Sequence, residues 1–280
     1  MAAVARRRLV GTIAHRTAIL LYIVVALFPL FWLLKVSVTP NALLYSEGVR
    51  LWPSRTSFEH FAFVLENSDF PLFFRNSLIV SLSTAVIVTL IAAGAGYAMS
   101  RFRFRGKFWL VALMLVTQMF PLVMLIAPMF RMLAPLGLTN SLTGLVIVYS
   151  AFNVPFAVFL MQSFFDAIPK DLDEAAMIDG ASRFQAFREI IVPLTLPGMA
   201  ATLGFVFTAA WSELLFALML ISKTDASTFP VGLLSFVSKF GVNFGQMMAA
   251  GVLALIPALL FFLLIQRFLV QGLTAGAVKG

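Results

Sequence analysis

The stretch NSLIVSLSTAVIVTLIAAGAGYAM, residues 76–99, decides the fold, because it runs for 24 residues without a charge. A helix needs roughly 20 mostly apolar residues to cross the hydrocarbon of a bilayer. Inside hydrocarbon each backbone N–H and C=O must be paired within the chain, so the stretch reads as one helix. Five more stretches of this kind lie at 17–38, 108–131, 142–165, 198–221 and 247–269. The expected fold is an all-α integral membrane protein with six transmembrane helices, forming a single domain over 1–280.

Composition points the same way. Hydrophobic residues make up 61% of the 280 residues and charged residues 11%, with a mean hydropathy of +0.99. A soluble domain is about half apolar and about a quarter charged. This chain could not cover its own surface with polar groups, so lipid must solvate much of it. The net charge of +8 would suit nucleic acid in a soluble protein. Here the charges sit between apolar spans and read as membrane topology. The 30 phenylalanines read as lipid-facing or packing residues.

The chain has no cysteine, which excludes disulfides, thiolate nucleophiles and cysteine-ligated metals. Its two histidines, His15 and His60, are far apart and offer no metal-site spacing. The stretch 17–38 follows Arg6-Arg7-Arg8 but is too long for a secretory signal core, and reads as a retained anchor.

Most lysines and arginines fall in segments that are cytoplasmic if both termini are inside. The densest is Arg101-Phe102-Arg103-Phe104-Arg105-Gly106-Lys107. It reads as an inner-face anchor, aromatics in the interface and cations at the headgroups. Two outer segments, about 39–75 and 222–246, are long enough to have a task. Ala92-Ala93-Gly94-Ala95-Gly96 offers a small-residue surface for close helix packing.

The cytoplasmic segment 166–197 predicts two short helices joined by a turn. Pro169 sits where a helix can begin, and Asp171, Asp173 and Glu174 place acid in the first turns. Gly180 is placed for a left-handed cap. Ser182 followed by Gln185 has capping-box spacing. Phe184, Phe187 and Ile191 are spaced to form one apolar stripe, and Pro193 and Pro197 break the helix before the fifth span. Such a unit either lies on the membrane surface or docks in a groove of a partner.

Glu174-Ala175-Ala176, Gly180, Ile190 and Pro193 resemble the signature loop of permease subunits of bacterial ATP-binding-cassette (ABC) importers. Val192 stands where that family usually has leucine. Asp179-Gly180-Ala181 with Phe187 is similar to the carbohydrate branch, which includes the maltose permease and the trehalose-importer permeases of mycobacteria. The resemblance runs from about residue 70 to the end, including Leu138-Thr139-Asn140-Ser141 and the tail Gln271–Gly280. It implies a type I importer permease fold in the bacterial plasma membrane. It further implies a coupling helix in an ATPase cleft, with Glu174, Ala175, Ala176, Asp179, Gly180, Phe187 and Pro193 in that contact. The implied partners are a second homologous permease, two ATPase subunits and an external sugar-binding protein or lipoprotein. The implied function is sugar import, of an oligosaccharide or disaccharide such as trehalose, by alternating access; the alternative within the same class is import of a non-sugar solute such as an amino acid, phosphate or a metal.

No phosphate-binding Gly-x-x-x-x-Gly-Lys-Ser/Thr sequence is present. The chain is therefore expected to be no enzyme and to hold no cofactor of its own, with ATP and magnesium in the partner ATPase. A membrane enzyme would need a cluster of catalytic side chains that the sequence lacks. An ion-coupled transporter would need acids at membrane depth, and Glu213 is the one candidate. Glu213 reads either as a pathway or gate residue or as an interhelical contact. Gln118, Tyr149, Asn153 and Trp211 join it as candidate substrate-pathway residues, able to offer polar groups or an aromatic face to a sugar. Pro155 would loosen the fourth helix near Phe152.

Overall fold

The computed structural model describes residues 2–238 and 241–277. Lys239 and the last three residues of the tail, 278–280, lie outside the described residues. Contacts group the chain into two compact units, Met1–Ser68 with Ser235–Leu253 and Asp69–Leu234 with Ala254–Gly280.

The first unit begins with helix α1 (Ala2–Ser37). Its stretch Gly11–Ser37 is long and apolar enough to cross a membrane, and none of its most apolar window is buried in the protein. Only lipid or another protein can cover such a surface. Two short helices follow, α2 (Asn41–Leu44) and α3 (Glu59–Glu66). The Asn41 N–H donates to Glu59 Oε1 at 2.8 Å, which holds that carboxyl below its ordinary range. His60, on α3, is buried, with Nε2 2.9 Å from the Thr39 carbonyl. A two-stranded antiparallel ribbon, β1 (Val237–Ser238) with β2 (Gly241–Val242), lies in the segment 222–246 and is a small departure from an all-helical chain.

The second unit is organised around helix α4 (Phe70–Arg101), which contains the deciding stretch. The other helices follow in order: α5 (Lys107–Met119), α6 (Leu122–Leu133), α7 (Leu142–Asp166) and α8 (Asp171–Ile178). Next come α9 (Arg183–Gln185), a π-helical turn at Ala186–Ile191, and α10 (Val192–Leu194). The last are α11 (Leu196–Trp211), α12 (Leu215–Leu220), α13 (Phe229–Leu233) and α14 (Phe244–Ala277), the last beginning in the first unit.

Helices α4 and α7 share the most extensive contact, and α11 packs on both. The small-residue surface explains the closeness. A Cβ added at Gly96 would lie 2.9 Å from both Met161 Cβ and Gln162 N, whereas one at Gly94 would meet nothing within 4 Å. Asn76, at the other end of α4, is fully buried and donates to the carbonyls of Asp225 and Ser227 at 2.8 and 2.9 Å. The Ser77 hydroxyl accepts from the Phe229 N–H at 2.8 Å. These bonds pin the start of the 222–246 segment to α4.

Four helices are long and apolar enough to span a membrane, and up to six spans result if each of two bent pairs counts as one. The stretch 108–131 is such a pair, with α5 and α6 meeting at 104° across Phe120 and Pro121. Pro121 pushes Phe120 into extended backbone, which ends α5 there. The second bend, of 73°, separates α10 from α11 at Thr195. Both helices carry proline in their first turn, Pro193 and Pro197. The stretch 198–221 is also interrupted at Ser212–Leu214, between α11 and α12.

Replacing Gly96 with valine is expected to cost about 1–3 kcal/mol by overpacking the α4–α7 contact, and replacing Gly94 in the same way far less. Thermal unfolding of the two variants in detergent checks this; equal midpoints would contradict the packing role.

Candidate functional site

The segment 166–197 is held by a clamp at the end of α4. Arg101 Nε donates to Asp173 Oδ2 at 2.7 Å, and the two side chains are only 6% and 10% exposed. The other guanidinium nitrogens reach the carbonyls of Phe165, at 3.1 Å, and Ile168, at 3.0 Å. One arginine thus joins three pieces of chain: the end of α4, the end of α7 and the start of α8. The Tyr97 hydroxyl donates to the second Asp173 oxygen at 2.7 Å. The Ser100 hydroxyl donates to Asp166 at 2.5 Å. The Tyr97 ring packs 4.6 Å from that of Phe187 and 5.6 Å from that of Phe165, centroid to centroid. A cavity of about 180 Å³ adjoins the clamp, lined by Lys170, Glu174 and Arg183 among others.

Local chemistry shapes the rest. Asp171, Asp173 and Glu174 occupy the first turn of α8. Gly180 has φ +91°, where a residue with a Cβ is strained. Its N–H donates to the Met177 carbonyl and the Ala181 N–H to that of Ala176, the paired bonds of a Schellman cap. The Ser182–Gln185 capping box is complete, at 2.8 and 3.3 Å.

The seven residues that the resemblance assigns to an ATPase contact divide by exposure. Glu174, Ala175, Asp179, Gly180 and Pro193 are exposed, Ala176 is buried, and Phe187 is half-buried against Tyr97. The expected stripe of Phe184, Phe187 and Ile191 does not form. Ile191 is fully buried while Phe184 is 68% exposed, because the π-helical turn at Ala186–Ile191 changes the angular spacing between them. Ile178, 85% exposed, joins Phe184 as an outward apolar residue. Nor does the whole basic cluster serve as an interface anchor. Arg103 and Arg105 are exposed, but Arg101 is turned inward and Lys107 donates to the Met99 carbonyl. Sequence reading missed the Arg101 clamp; the signal was an acid, Asp173, that the helix periodicity places on the same side as buried Ala176.

The candidate pathway residues lie deeper. Gln118, Tyr149, Asn153 and Glu213 line one cavity of about 280 Å³, together with Thr117 and the ring of Phe216. Gln118 Nε2 donates to the Phe152 carbonyl at 3.1 Å, and Asn153 Nδ2 to that of Tyr149 at 2.8 Å. Glu213 occupies the break between α11 and α12. Its two oxygens accept from the N–H groups of Phe216 and Ala217 at 3.0 and 3.2 Å, which satisfies the unpaired donors at the start of α12. Trp211 lies apart from this cavity. Its indole N–H donates to the Ala254 carbonyl at 3.2 Å, and its ring is packed among Phe74, Phe207 and Phe229. Asn140, quoted only as part of the approach to α7, is a further joint. It adopts φ +54°, and its Oδ1 accepts from the N–H groups of Ser222 and Lys223.

Residues 85–275 match the family described as "Binding-protein-dependent transport system inner membrane component". The chain is 36% identical over 276 residues to the diacetylchitobiose uptake system permease protein DasC of Streptomyces coelicolor, covering 98% of this chain and 100% of that one. It is 38% identical over 257 residues to the trehalose transport system permease protein SugB of Mycobacterium tuberculosis, covering 91% and 93%. A bacterial ABC transporter involved in the import of the acidic polysaccharide alginate shares the fold, with a TM-score of 0.78 at 23% identity over 92% of this chain and 96% of that one. The chain belongs to the family of binding-protein-dependent transport system inner membrane components. It is therefore a multi-pass membrane permease component rather than an enzyme.

Replacing Arg101 with methionine leaves Asp173 buried without its cation. Breaking a buried pair costs about 3–5 kcal/mol, and the adjoining cavity, which gives the stranded carboxylate room to be solvated, moves this toward the lower end. Proteolysis of 166–197 in membrane vesicles is expected to quicken sharply. Lysine at 101 should rescue little, since a single ammonium cannot reproduce the guanidinium fork; full rescue would contradict the three-way clamp.

Proposed function

We propose that this chain is the permease subunit of an ABC importer for a sugar, working by alternating access. The observation that carries the reading is the clamped, capped α8–α9 unit, which presents Ile178 and Phe184 outward from a rigid base. A held apolar knob suits a groove on a partner protein and can transmit a push that a loose loop would absorb. Glu174, Ala175, Asp179 and Gly180 lie on its exposed part and are assigned to the ATPase contact; Ala176, Phe187 and Pro193 support it.

The proposed assembly contains a second homologous permease, two ATPase subunits that hold ATP and magnesium, and an external binding protein; the family description supports the last of these, since it speaks of a binding-protein-dependent system. Both termini lie in the cytoplasm, by the distribution of basic residues. The sugar class rests on DasC and SugB, and a disaccharide such as trehalose is the first cargo to try. Gln118, Tyr149, Asn153 and Glu213 border the sugar path; Trp211 supports it by packing.

The test is to purify the tagged chain with its partners, reconstitute it and follow labelled sugar uptake with and without ATP. Uptake is expected to need ATP and the binding protein and to survive a protonophore; the reverse result would favour ion coupling. Gly180→Leu is expected to abolish uptake while the chain stays in the membrane at normal amount. Normal uptake by that variant would remove the coupling role from the α8 cap.

A further inference from the structure

The cavity between α5, α7, α11 and α12 has an uneven chemistry. The amide nitrogens of Gln118 and Asn153 are both turned to main-chain carbonyls. Among the described residues, nothing donates to either amide oxygen. The buried Tyr149 hydroxyl faces the Glu213 carboxylate as its hydrogen-bonding neighbour, at a geometry looser than that of an ordinary hydrogen bond. Glu213 keeps lone pairs beyond the two that accept from α12, since a carboxylate offers about four acceptor positions. The site therefore presents mainly acceptors and one negative charge to whatever enters.

The rings of Phe152 and Phe216 stack at 4.9 Å beside these oxygens, and Phe120 also lines the cavity. Aromatic faces suit the C–H face of a sugar ring, and clustered acceptors suit its hydroxyl edge. At about 280 Å³ the cavity lies near the lower end of ligand pockets, about 300 Å³.

Resting on the importer reading above, we propose that this cavity is a subsite for the hydroxyl edge of an uncharged sugar, and that Glu213 is a specificity-determining residue that turns acidic sugars away. A uronate or sugar phosphate would bring its anion against a fixed carboxylate in a site where no described cation faces it. Like charges opposed in a desolvated site exclude the wrong partner more strongly than neutral contacts do.

The absence of cysteine allows a direct test that does not depend on transport. Thr117→Cys and Ala209→Cys each place a single thiol in the cavity lining of the assembled importer, reconstituted in vesicles. Alkylation by a cationic trimethylammonium-ethyl methanethiosulfonate is compared with that by the anionic sulfonatoethyl reagent, and mass spectrometry reads the labelled peptide. The ratio of the two rates, cationic over anionic and divided by the same ratio for a free thiol in solution, is expected to be roughly ten, as a focused negative charge raises local cation concentration. Glu213→Gln, whose amide oxygen can still accept from α12, is expected to bring the ratio toward one. Trehalose or N,N′-diacetylchitobiose is expected to slow alkylation several-fold, and Glu213→Gln to remove the protection.

A ratio near one, a ratio that survives Glu213→Gln, or no protection by either sugar overturns the proposal. Protection by sodium or potassium equal to that by sugar also overturns it, in favour of a cation site. Uptake is followed in the same vesicles with the cysteine-free chain. Charge preference and sugar protection without any uptake would count against the importer reading and leave the subsite. Normal uptake with a ratio near one would count against the subsite alone.

Discussion

Hydrocarbon offers no hydrogen bonds, and the arrangement of the second unit follows from that constraint. An unpaired backbone group in lipid costs several kcal/mol, so the groups freed where a helix is interrupted need partners. Glu213 repairs the break between α11 and α12 with two carboxylate bonds. Asn140 repairs the end of α12 by accepting two N–H groups while its own N–H donates to the Leu220 carbonyl. Arg101 does the same at the end of α7. Glu213, Asn140 and Arg101 are first of all answers to broken backbone. Their remaining valences are what is left for function.

The same helix serves both candidate sites. Tyr149 and Asn153 lie on α7 at the cavity, and Phe165 lies near the end of α7 at the clamp. Twelve residues of helix separate Asn153 from Phe165, roughly 18 Å at 1.5 Å per residue. Pro155 lies within that interval and removes one hydrogen bond from the rod. The coupling proposed between ATP use and sugar passage therefore has a short, continuous, nearly rigid element to travel along. The clamp fixes one end of it to α8.

How much of this was legible in the sequence depended on how local each cause was. The cap at Gly180 and the box at Ser182 and Gln185 involve neighbours within five residues, and both could be read directly. Phe184 was misplaced because a π-helical turn, which no propensity signals, moved Ile191 and Phe184 out of register. The bends at Phe120–Pro121 and Thr195 were marked by prolines, but their angles were not. Polar residues in apolar runs could be picked out, though not the way they face. Trp211 turned to Ala254, and Gln118, Tyr149, Asn153 and Glu213 converged only through the packing of four helices. Arg101 looked like its neighbours Arg103 and Arg105, since nothing local says that its partners lie 64 to 72 residues onward.

That sequence distance also orders the making of the protein. Arg101 leaves the ribosome well before Phe165, Ile168 and Asp173, so at the end of the newly inserted α4 it has only water and headgroups to face. It acquires its partners only after α5, α6 and α7 have been threaded in the right direction, since α8 must emerge on the same side as the end of α4. A chain that inserts one of those helices backwards strands a guanidinium and an aspartate on opposite sides of the bilayer. Closure of one ion pair thereby records that the intervening stretch of 72 residues has been inserted correctly.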